Sequence, residues 1–294
     1  MKTRNQMPLF ACLCALSFLF WGRSLSSTLS LALGNDSYTH ILLILPLTAA
    51  LIYMDSRYRD SKYADSRASQ IGSQPWAGLA LLILAFLIGC VERWRMLGAP
   101  DDLRLSVAMF ALVTWWIASV LLCFGVGTFK RFLFPLCFLF LMVPLPGFVV
   151  NRIVEFLQTH SASTADVMFR AIGVPTTRDG ILLYIPDLTI EVATECSSIR
   201  SSLMLVVTTM ICAHLFLRSW WRQVLLTAAV IPLSVAKNGL RIVTIAELGT
   251  RVDPRFITGK FHHNGGILFF GISVLAMAAL LWLLYKTEPR ISCA

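Results

Sequence analysis

The sequence has little charge for its length. Only 14% of its 294 residues are charged, whereas 57% are hydrophobic, and the mean hydropathy is +0.72. Water-soluble globular domains of this size do not have such a composition, so a soluble enzyme is excluded. Apolar runs long enough to cross a membrane recur from residue 8 almost to the end of the chain, which predicts a single multi-span membrane domain over residues 1–294.

The sequence patterns of metal sites and disulfide frameworks are missing as well. The eight cysteines form no C-x-x-C pair, and most lie in apolar runs, where cysteine behaves as a small hydrophobic residue. We therefore predict no zinc site, no disulfide framework and no cofactor. The net charge of +9 comes mostly from short Lys and Arg clusters between apolar runs, a pattern that membrane topology explains better than nucleic-acid binding.

Eight apolar segments predict transmembrane helices, so the expected fold is an all-α polytopic integral membrane protein. These segments lie near residues 8–33, 38–54, 76–92, 104–126, 130–149, 197–217, 223–247 and 265–285. The polar stretch 55–74 is predicted to be a solvated loop. If this loop lies inside the cell, so do the short basic clusters Lys2/Arg4, Lys130/Arg131, Arg218/Arg222 and Lys286/Arg290, although the outer face then carries about as many Lys and Arg in total.

The longest stretch outside the predicted spans runs from residue 151 to 195. Its first part, residues 152–160, mixes apolar and polar positions at helical spacing, which predicts a short interfacial helix. Further on, two β-prone runs flank Pro186-Asp187. This pattern predicts a β-hairpin that leads the chain into the sixth span.

Cys196 is predicted to lie in the first turn of the sixth span. The free N–H groups and the dipole of a helix N-terminus stabilise a thiolate, and Arg200, one turn further on, adds a cation on the same face. Glu195 opposes both effects. The pattern therefore predicts either a reactive nucleophile or a cysteine that only packs.

The seventh predicted span contains Lys237, Asn238 and Arg241 in an otherwise apolar segment. Their spacings of three and four residues place them on one side of a helix. A charge inside a span is costly and usually faces a cavity or a partner, although an arginine near a helix end can also reach the interface. The three residues are therefore candidates for a site within the membrane.

Two adjacent histidines, His262 and His263, precede the eighth span. An imidazole there can exchange protons near neutral pH, and the alternative is a pair of interfacial histidines without a task. The pair lacks the H-E-x-x-H spacing of a zinc site, and adjacent helical residues point about 100° apart. A shared metal ion is therefore disfavoured.

Under the predicted topology, Cys196, Arg241 and the two histidines fall on the same, outer face of the membrane. A thiolate nucleophile, an imidazole that takes and returns a proton, and a guanidinium that stabilises an oxyanion are the components of acyl transfer. Because the three spans are consecutive, these groups are expected to meet.

With these residues, the sequence resembles the exosortase/archaeosortase family, membrane-embedded cysteine transpeptidases. The resemblance covers most of the chain, is densest over residues 191–270, and rests on three motifs: Cys196-Ser197-Ser198-Ile199, Asn238-Gly239-Leu240-Arg241, and His262 with Gly266 four residues later. Ser198 stands where glycine is common in the family. The four-residue interval to Gly266 favours His262 over His263.

The resemblance implies a role for each motif. Cys196 would be the nucleophile, and Arg241 would stabilise the oxyanion. His262, with His263 as the alternative, would be the general acid and base. Arg200 or Lys237 is hypothesised to bind an acidic residue of the substrate, and Asn238 is counted with them as a binding residue.

The resemblance also implies the substrates, which are exported proteins that end in a Pro-Glu-Pro-like motif, an apolar transmembrane helix and a basic tail. Cleavage through a thioester on Cys196 would take place at the outer, periplasmic face of the cytoplasmic (inner) membrane of a bacterium that makes extracellular polysaccharide. The thioester would be resolved by water or an amine, and lipid-linked or polysaccharide acceptors are candidates.

Two other functions fit the same residues. In a transporter or channel subunit, Lys237, Arg241 and the histidines would line an anion or proton pathway. In a noncatalytic assembly factor for exopolysaccharide export, they would only support packing. A reactive Cys196 distinguishes catalysis from both alternatives.

Overall fold

The computed structural model describes residues 6–58, 75–96, 98–186, 188–192, 199–255 and 266–288. The predicted nucleophile Cys196 and the predicted bases His262 and His263 lie outside the described residues. The chain forms two compact units, Met1–Gly147 and Phe148–Ala294. The single domain expected from the sequence stays a prediction.

Most of the described residues are helical. The helices are α1 (Gln6–Gly34), α2 (Ile41–Tyr58), α3 (Pro75–Arg95), α4 (Asp101–Arg131), α5 (Leu133–Phe138), α6 (Gly147–Ala171), α7 (Ile199–Phe216), α8 (Trp220–Ala228), α9 (Val230–Arg251) and α10 (Gly266–Lys286). In the described part of the chain, seven helices are long and apolar enough to cross a membrane. The number is eight if Leu133–Met142 and Gly147–Ala171 count as one broken span. The predicted all-α polytopic membrane fold is therefore confirmed.

The fifth predicted span, residues 130–149, is not one continuous helix. Lys130 and Arg131 end α4, Leu133–Met142 forms α5 followed by a 3₁₀ turn, and α6 begins at Gly147. Pro144 and Pro146 have no N–H group to donate, so the chain stays non-helical until α6 begins. With 25 residues, α6 is also longer than the interfacial helix predicted for residues 152–160.

The first unit is organised around α4, against which α1 and α3 pack. Gly78 of α3 permits a close approach, because a Cβ atom there would lie 2.7 Å from the Cα atom of Leu122. Trp115 of α4 donates its indole N–H to the carbonyl of Leu13 in α1 at 3.0 Å. Hydrogen bonds of this kind supply specificity between helices that are otherwise apolar.

A three-stranded antiparallel sheet precedes α7 in the second unit. β1 (Thr177–Asp179) pairs with β2 (Leu182–Ile185), and β2 pairs with β3 (Leu188–Glu191). Ile185 lies opposite Leu188, which agrees with the hairpin that the sequence predicted at this point of the chain. β1 was not predicted. It reaches β2 through a turn at Gly180, which has a φ of 59°.

Two apolar clusters stabilise the second unit. The first cluster joins α6, the sheet and α9, with Phe169, Leu183 and Ile242 among its buried members. The second joins α7, α8, α9 and α10, where Leu205 and Met277 are buried. Because α9 contributes to both clusters, it is the central element of this unit.

The beginning of α8 and the end of α10 satisfy each other's backbone groups. Glu288 accepts hydrogen bonds from the N–H groups of Arg218 and Ser219, at 3.0 and 2.9 Å. Arg222 donates to the carbonyl of Thr287 at 2.9 Å. These contacts bond groups that helix ends leave without an intrahelical partner. They also bring Arg218 and Arg222 of one predicted inner-face cluster and Lys286 of another to the same end of the unit.

Candidate active site

A stripe of polar side chains runs along one side of α9. Ser234, Lys237, Asn238 and Arg241 are spaced by three or four residues, and their exposed fractions are 2%, 7%, 0% and 8%. This spacing places all four on one helix face. Since each is buried, the stripe faces the protein and not the lipid.

Lys237 connects this stripe to the first turn of α7. Its ammonium group donates a hydrogen bond to the hydroxyl of Ser201 at 2.5 Å. Ser201 is the third residue of α7, and Cys196 precedes the first residue of that helix, Ile199, by three positions in the sequence. The bond therefore joins the cationic side of α9 to the helix that directly follows the predicted nucleophile.

Two cations are concentrated at this level of α9. Arg241 lies one helical turn beyond Lys237, which corresponds to an axial rise of about 6 Å. Charges interact more strongly in a low-dielectric interior than in water. A buried pair of like charges therefore favours an anion nearby, such as a thiolate or the oxyanion of an acyl-transfer reaction.

Arg200 has a different environment from the cations of α9. It is the second residue of α7, and its side chain is exposed. The guanidinium therefore lies at the protein surface beside Ser201, whereas the cations of α9 lie inside the helix bundle. Asn238, in contrast, is fully buried, so its amide lies inside the bundle.

On the N-terminal side of Cys196, a residue of α6 holds the chain in place. Gln158 donates its side-chain amide to the carbonyl of Val192 at 2.7 Å, and the N–H of Val192 donates to the carbonyl of Ile181 at 3.1 Å. Val192 is 1% exposed. In the sequence, Cys196 therefore lies between two residues that hydrogen bonds hold in place, Val192 and Ser201.

A family model described as transmembrane exosortase matches residues 32–279. The match covers most of the chain and includes every predicted site residue. The chain belongs to the transmembrane exosortase family. The resemblance found in the sequence is therefore confirmed, and membership supports a membrane transpeptidase-like role in general terms. No curated protein and no solved structure matches the chain.

Four of the predicted site residues are described: Arg200, Lys237, Asn238 and Arg241. The structure brings Lys237 to the beginning of α7 and aligns it with the other two residues of α9. Ser201 and Gln158 were not among the residues predicted from the sequence. A signal existed for Ser201, a hydroxyl in the first turn after the cysteine motif. None existed for Gln158, because its partner is a main-chain carbonyl.

Proposed function

We propose that this protein is a cysteine transpeptidase that cleaves C-terminal Pro-Glu-Pro-type sorting tails of exported proteins at the outer face of a bacterial inner membrane. The hydrogen bond between Lys237 and Ser201 is the observation that supports this proposal most. It brings Lys237, one of the two buried cations of α9, to the start of the helix that follows Cys196. Family membership supports the same class of reaction.

Chain geometry keeps the proposed nucleophile near these cations. Three residues span at most about 11 Å, so Cys196 cannot lie further than this from Ile199. Consecutive spans run in opposite directions and Lys237 bonds to Ser201, so the first turn of α7 faces the C-terminal half of α9, which begins with Arg241. By the same estimate, four residues limit His262 to about 14 Å from Gly266, where α10 begins.

The proposed reaction has two steps. The thiolate of Cys196 attacks the scissile carbonyl, and Arg241 stabilises the resulting oxyanion. His262, with His263 as the alternative, protonates the departing amine as the C–N bond breaks, which leaves a thioester on Cys196. An acceptor amine or water then attacks the thioester and gives its proton to the histidine. The thiolate leaves, and the enzyme is regenerated.

Two cations are proposed to bind the acidic residue of the tail. Arg200 is exposed at the start of α7 and can form two parallel hydrogen bonds to a carboxylate. Lys237 has three N–H donors, of which the bond to Ser201 uses one. Asn238 would support the site from within the bundle.

A processing assay tests the reaction. The protein is co-expressed with an exported reporter that ends in Pro-Glu-Pro, an apolar helix and an arginine-rich tail, and the reporter is followed on a gel. We expect a mobility shift with the wild type that Cys196→Ala abolishes. Cys212→Ala is the matched control, because Cys212 is a half-buried free cysteine of α7, and this variant should process the reporter normally.

If the wild type produces no mobility shift, thiol labelling distinguishes the possible reasons. If the wild type does not shift the reporter but Cys196 alkylates faster than the other cysteines at mildly acidic pH, the tail motif is wrong and the cysteine chemistry stands. Equal alkylation rates for Cys196 and the other cysteines would contradict catalysis. That outcome would favour a transporter subunit or a noncatalytic assembly factor.

A further inference from the structure

One edge of the sheet in the second unit offers main-chain hydrogen-bonding groups. The strand order is β1-β2-β3, so β3 pairs with β2 on one side only. In an antiparallel ladder, residues that bond to the partner strand alternate with residues whose N–H and C=O groups point away from it. The free edge of β3 is therefore defined by every second residue of this strand.

The register identifies those residues. Ile190 lies opposite Leu183, and two positions later the N–H of Val192 donates to Ile181. Even-numbered residues of β3 thus bond to β2. It follows that Thr189 and Glu191 direct their N–H and C=O groups outward, at the free edge.

This edge is open yet firmly supported. The side chains of Thr189 and Glu191 are exposed, whereas Leu188 and Ile190 pack against the first apolar cluster. In the described part of the chain, no main-chain or side-chain hydrogen bond outside the sheet joins Thr189 or Glu191. An exposed strand edge of this kind is a template for another extended chain.

The position of β3 in the sequence indicates which chain it meets. β3 ends at Glu191, and Val192, held by Gln158, begins the segment that contains Cys196. Five residues span at most about 17 Å. An extended peptide on this edge therefore lies beside the strand that leads directly to the proposed nucleophile.

We propose that the free edge of β3 binds the tail segment of the exported substrate as an additional strand. This inference rests on the proposed function and names the element of that site that binds the substrate. Main-chain bonds would supply affinity, as in other strand-addition complexes, and would present the neighbouring peptide bond to Cys196.

A proline-containing tail fits this geometry. Proline has no N–H to donate, and in sheets it is tolerated where that position faces away from the ladder. When the residue between two prolines forms main-chain hydrogen bonds to β3, the main-chain nitrogen atoms of both prolines point away from β3, because bonded residues alternate along a strand. A Pro-Glu-Pro segment thus loses no main-chain bond to β3. Like charges directly opposite each other are unfavourable, so the substrate glutamate should oppose Thr189 and not Glu191. Its side chain then lies on the exposed face of the sheet, so this inference assigns its binding to the exposed Arg200 and not to the buried Lys237.

The opposite edge of the sheet is less suitable. On β1, Thr177 and Asp179 bond to β2, so only Arg178 points its main-chain groups outward. The side chain of Arg178 donates to the carbonyls of Thr159 and Gly180. This edge therefore offers one residue, and it provides a control position within the same sheet.

Two substitutions at one position test the inference. Thr189→Pro removes the outward N–H but leaves the ladder with β2 intact, whereas Thr189→Ala changes only an exposed side chain. With the full-length protein in detergent and a synthetic tail peptide, we expect Thr189→Pro to raise KM by tenfold or more. Thr189→Ala should stay within twofold of the wild type. Equal kinetics of the two variants, or equal losses in both, would overturn the inference.

A crosslinking experiment separates this inference from the proposed reaction. In the Cys196→Ala background, Thr189→Cys should crosslink through a short bismaleimide to a tail peptide with a cysteine beside Pro-Glu-Pro. Arg178→Cys, at the other edge, should not. A crosslink without any cleavage by the wild type would leave strand addition standing and remove the reaction. Absence of the Thr189→Cys crosslink, or equal crosslinking from Arg178→Cys, would overturn strand addition even if cleavage occurs.

Discussion

Gln158 of α6 donates its side-chain amide to the main-chain carbonyl of Val192, 2.7 Å away. The bond fixes the chain four residues before Cys196. A matching bond exists at the other end of α7, where Gln223 donates to the carbonyl of Leu217, also at 2.7 Å. The two bonds are chemically alike but lie at opposite ends of the helix that follows the proposed nucleophile.

Substitutions of Gln158 and Gln223 distinguish an effect on the position of Cys196 from an effect on the stability of the fold. Gln158→Met keeps the length of the side chain and removes the donor, so we expect kcat for tail cleavage to fall about tenfold, with KM unchanged, because a misplaced nucleophile costs rate. Gln223→Met should lower the melting temperature in detergent about as much as Gln158→Met does. It should leave kcat of the folded protein within twofold of the wild type. Equal kcat values for the two variants would show that Gln158 only stabilises the fold.

The bond between Lys237 and Ser201 predicts a graded effect on the thiol. Lys237→Met removes a buried cation near the start of α7, so less thiolate should form and alkylation of Cys196 at pH 6 should slow severalfold. Ser201→Ala keeps the charge, and its effect should be smaller. Alkylation rates measured across pH 5 to 9 check this order, and a larger effect of Ser201→Ala would contradict an electrostatic role for Lys237.

Arg241 should affect the reaction rate far more than substrate binding. If its guanidinium stabilises the oxyanion, Arg241→Met should lower kcat by about 100-fold or more, as loss of an oxyanion donor does elsewhere. Arg251 lies on the same helix, with a mostly exposed side chain that pairs with Glu247 at 2.7 Å. Arg251→Met is therefore the matched control and should be nearly silent. A rise in KM without a fall in kcat would reassign Arg241 to substrate binding.

The two histidines should differ in their importance. His262→Ala is expected to abolish processing, because His262 alone has the four-residue interval to Gly266. His263→Ala should be mild. Processing by His262→Ala that returns on addition of imidazole would identify a lost proton carrier. A severe effect of His263→Ala combined with a mild effect of His262→Ala would reverse the assignment.

Hydropathy and helical spacing predicted much of the fold and part of the site. Both properties are local in the sequence, which is why the spans and the alignment of Lys237 with Arg241 were accessible. The break after Met142 coincides with Pro144 and Pro146, which the prediction from hydropathy did not take into account. The contact of Gln158 with Val192 was inaccessible, because its partner is a main-chain group 34 residues away.

Gly239 lies between two residues of the polar stripe, and its lack of a side chain permits α9 to approach α6. A Cβ atom there would lie 2.8 Å from Cγ2 of Thr164 and 3.3 Å from the main-chain nitrogen of Ala165. Alanine is the better helix former by about 1 kcal/mol, whereas overpacking costs about 1 to 3 kcal/mol. We therefore expect Gly239→Ala to lower the melting temperature in detergent by a few degrees.

A second substitution identifies the cause of that loss. Thr164→Ser removes Cγ2 but keeps the hydroxyl that donates to the carbonyl of His160 at 2.8 Å. In the Gly239→Ala background, Thr164→Ser should restore part of the lost stability, because it removes the contact with Cγ2 but keeps the contact with Cβ at 3.0 Å. In the wild type it should leave a small void and destabilise slightly. Additive losses in the double variant would show that contact with Thr164 is not the reason for glycine at this position.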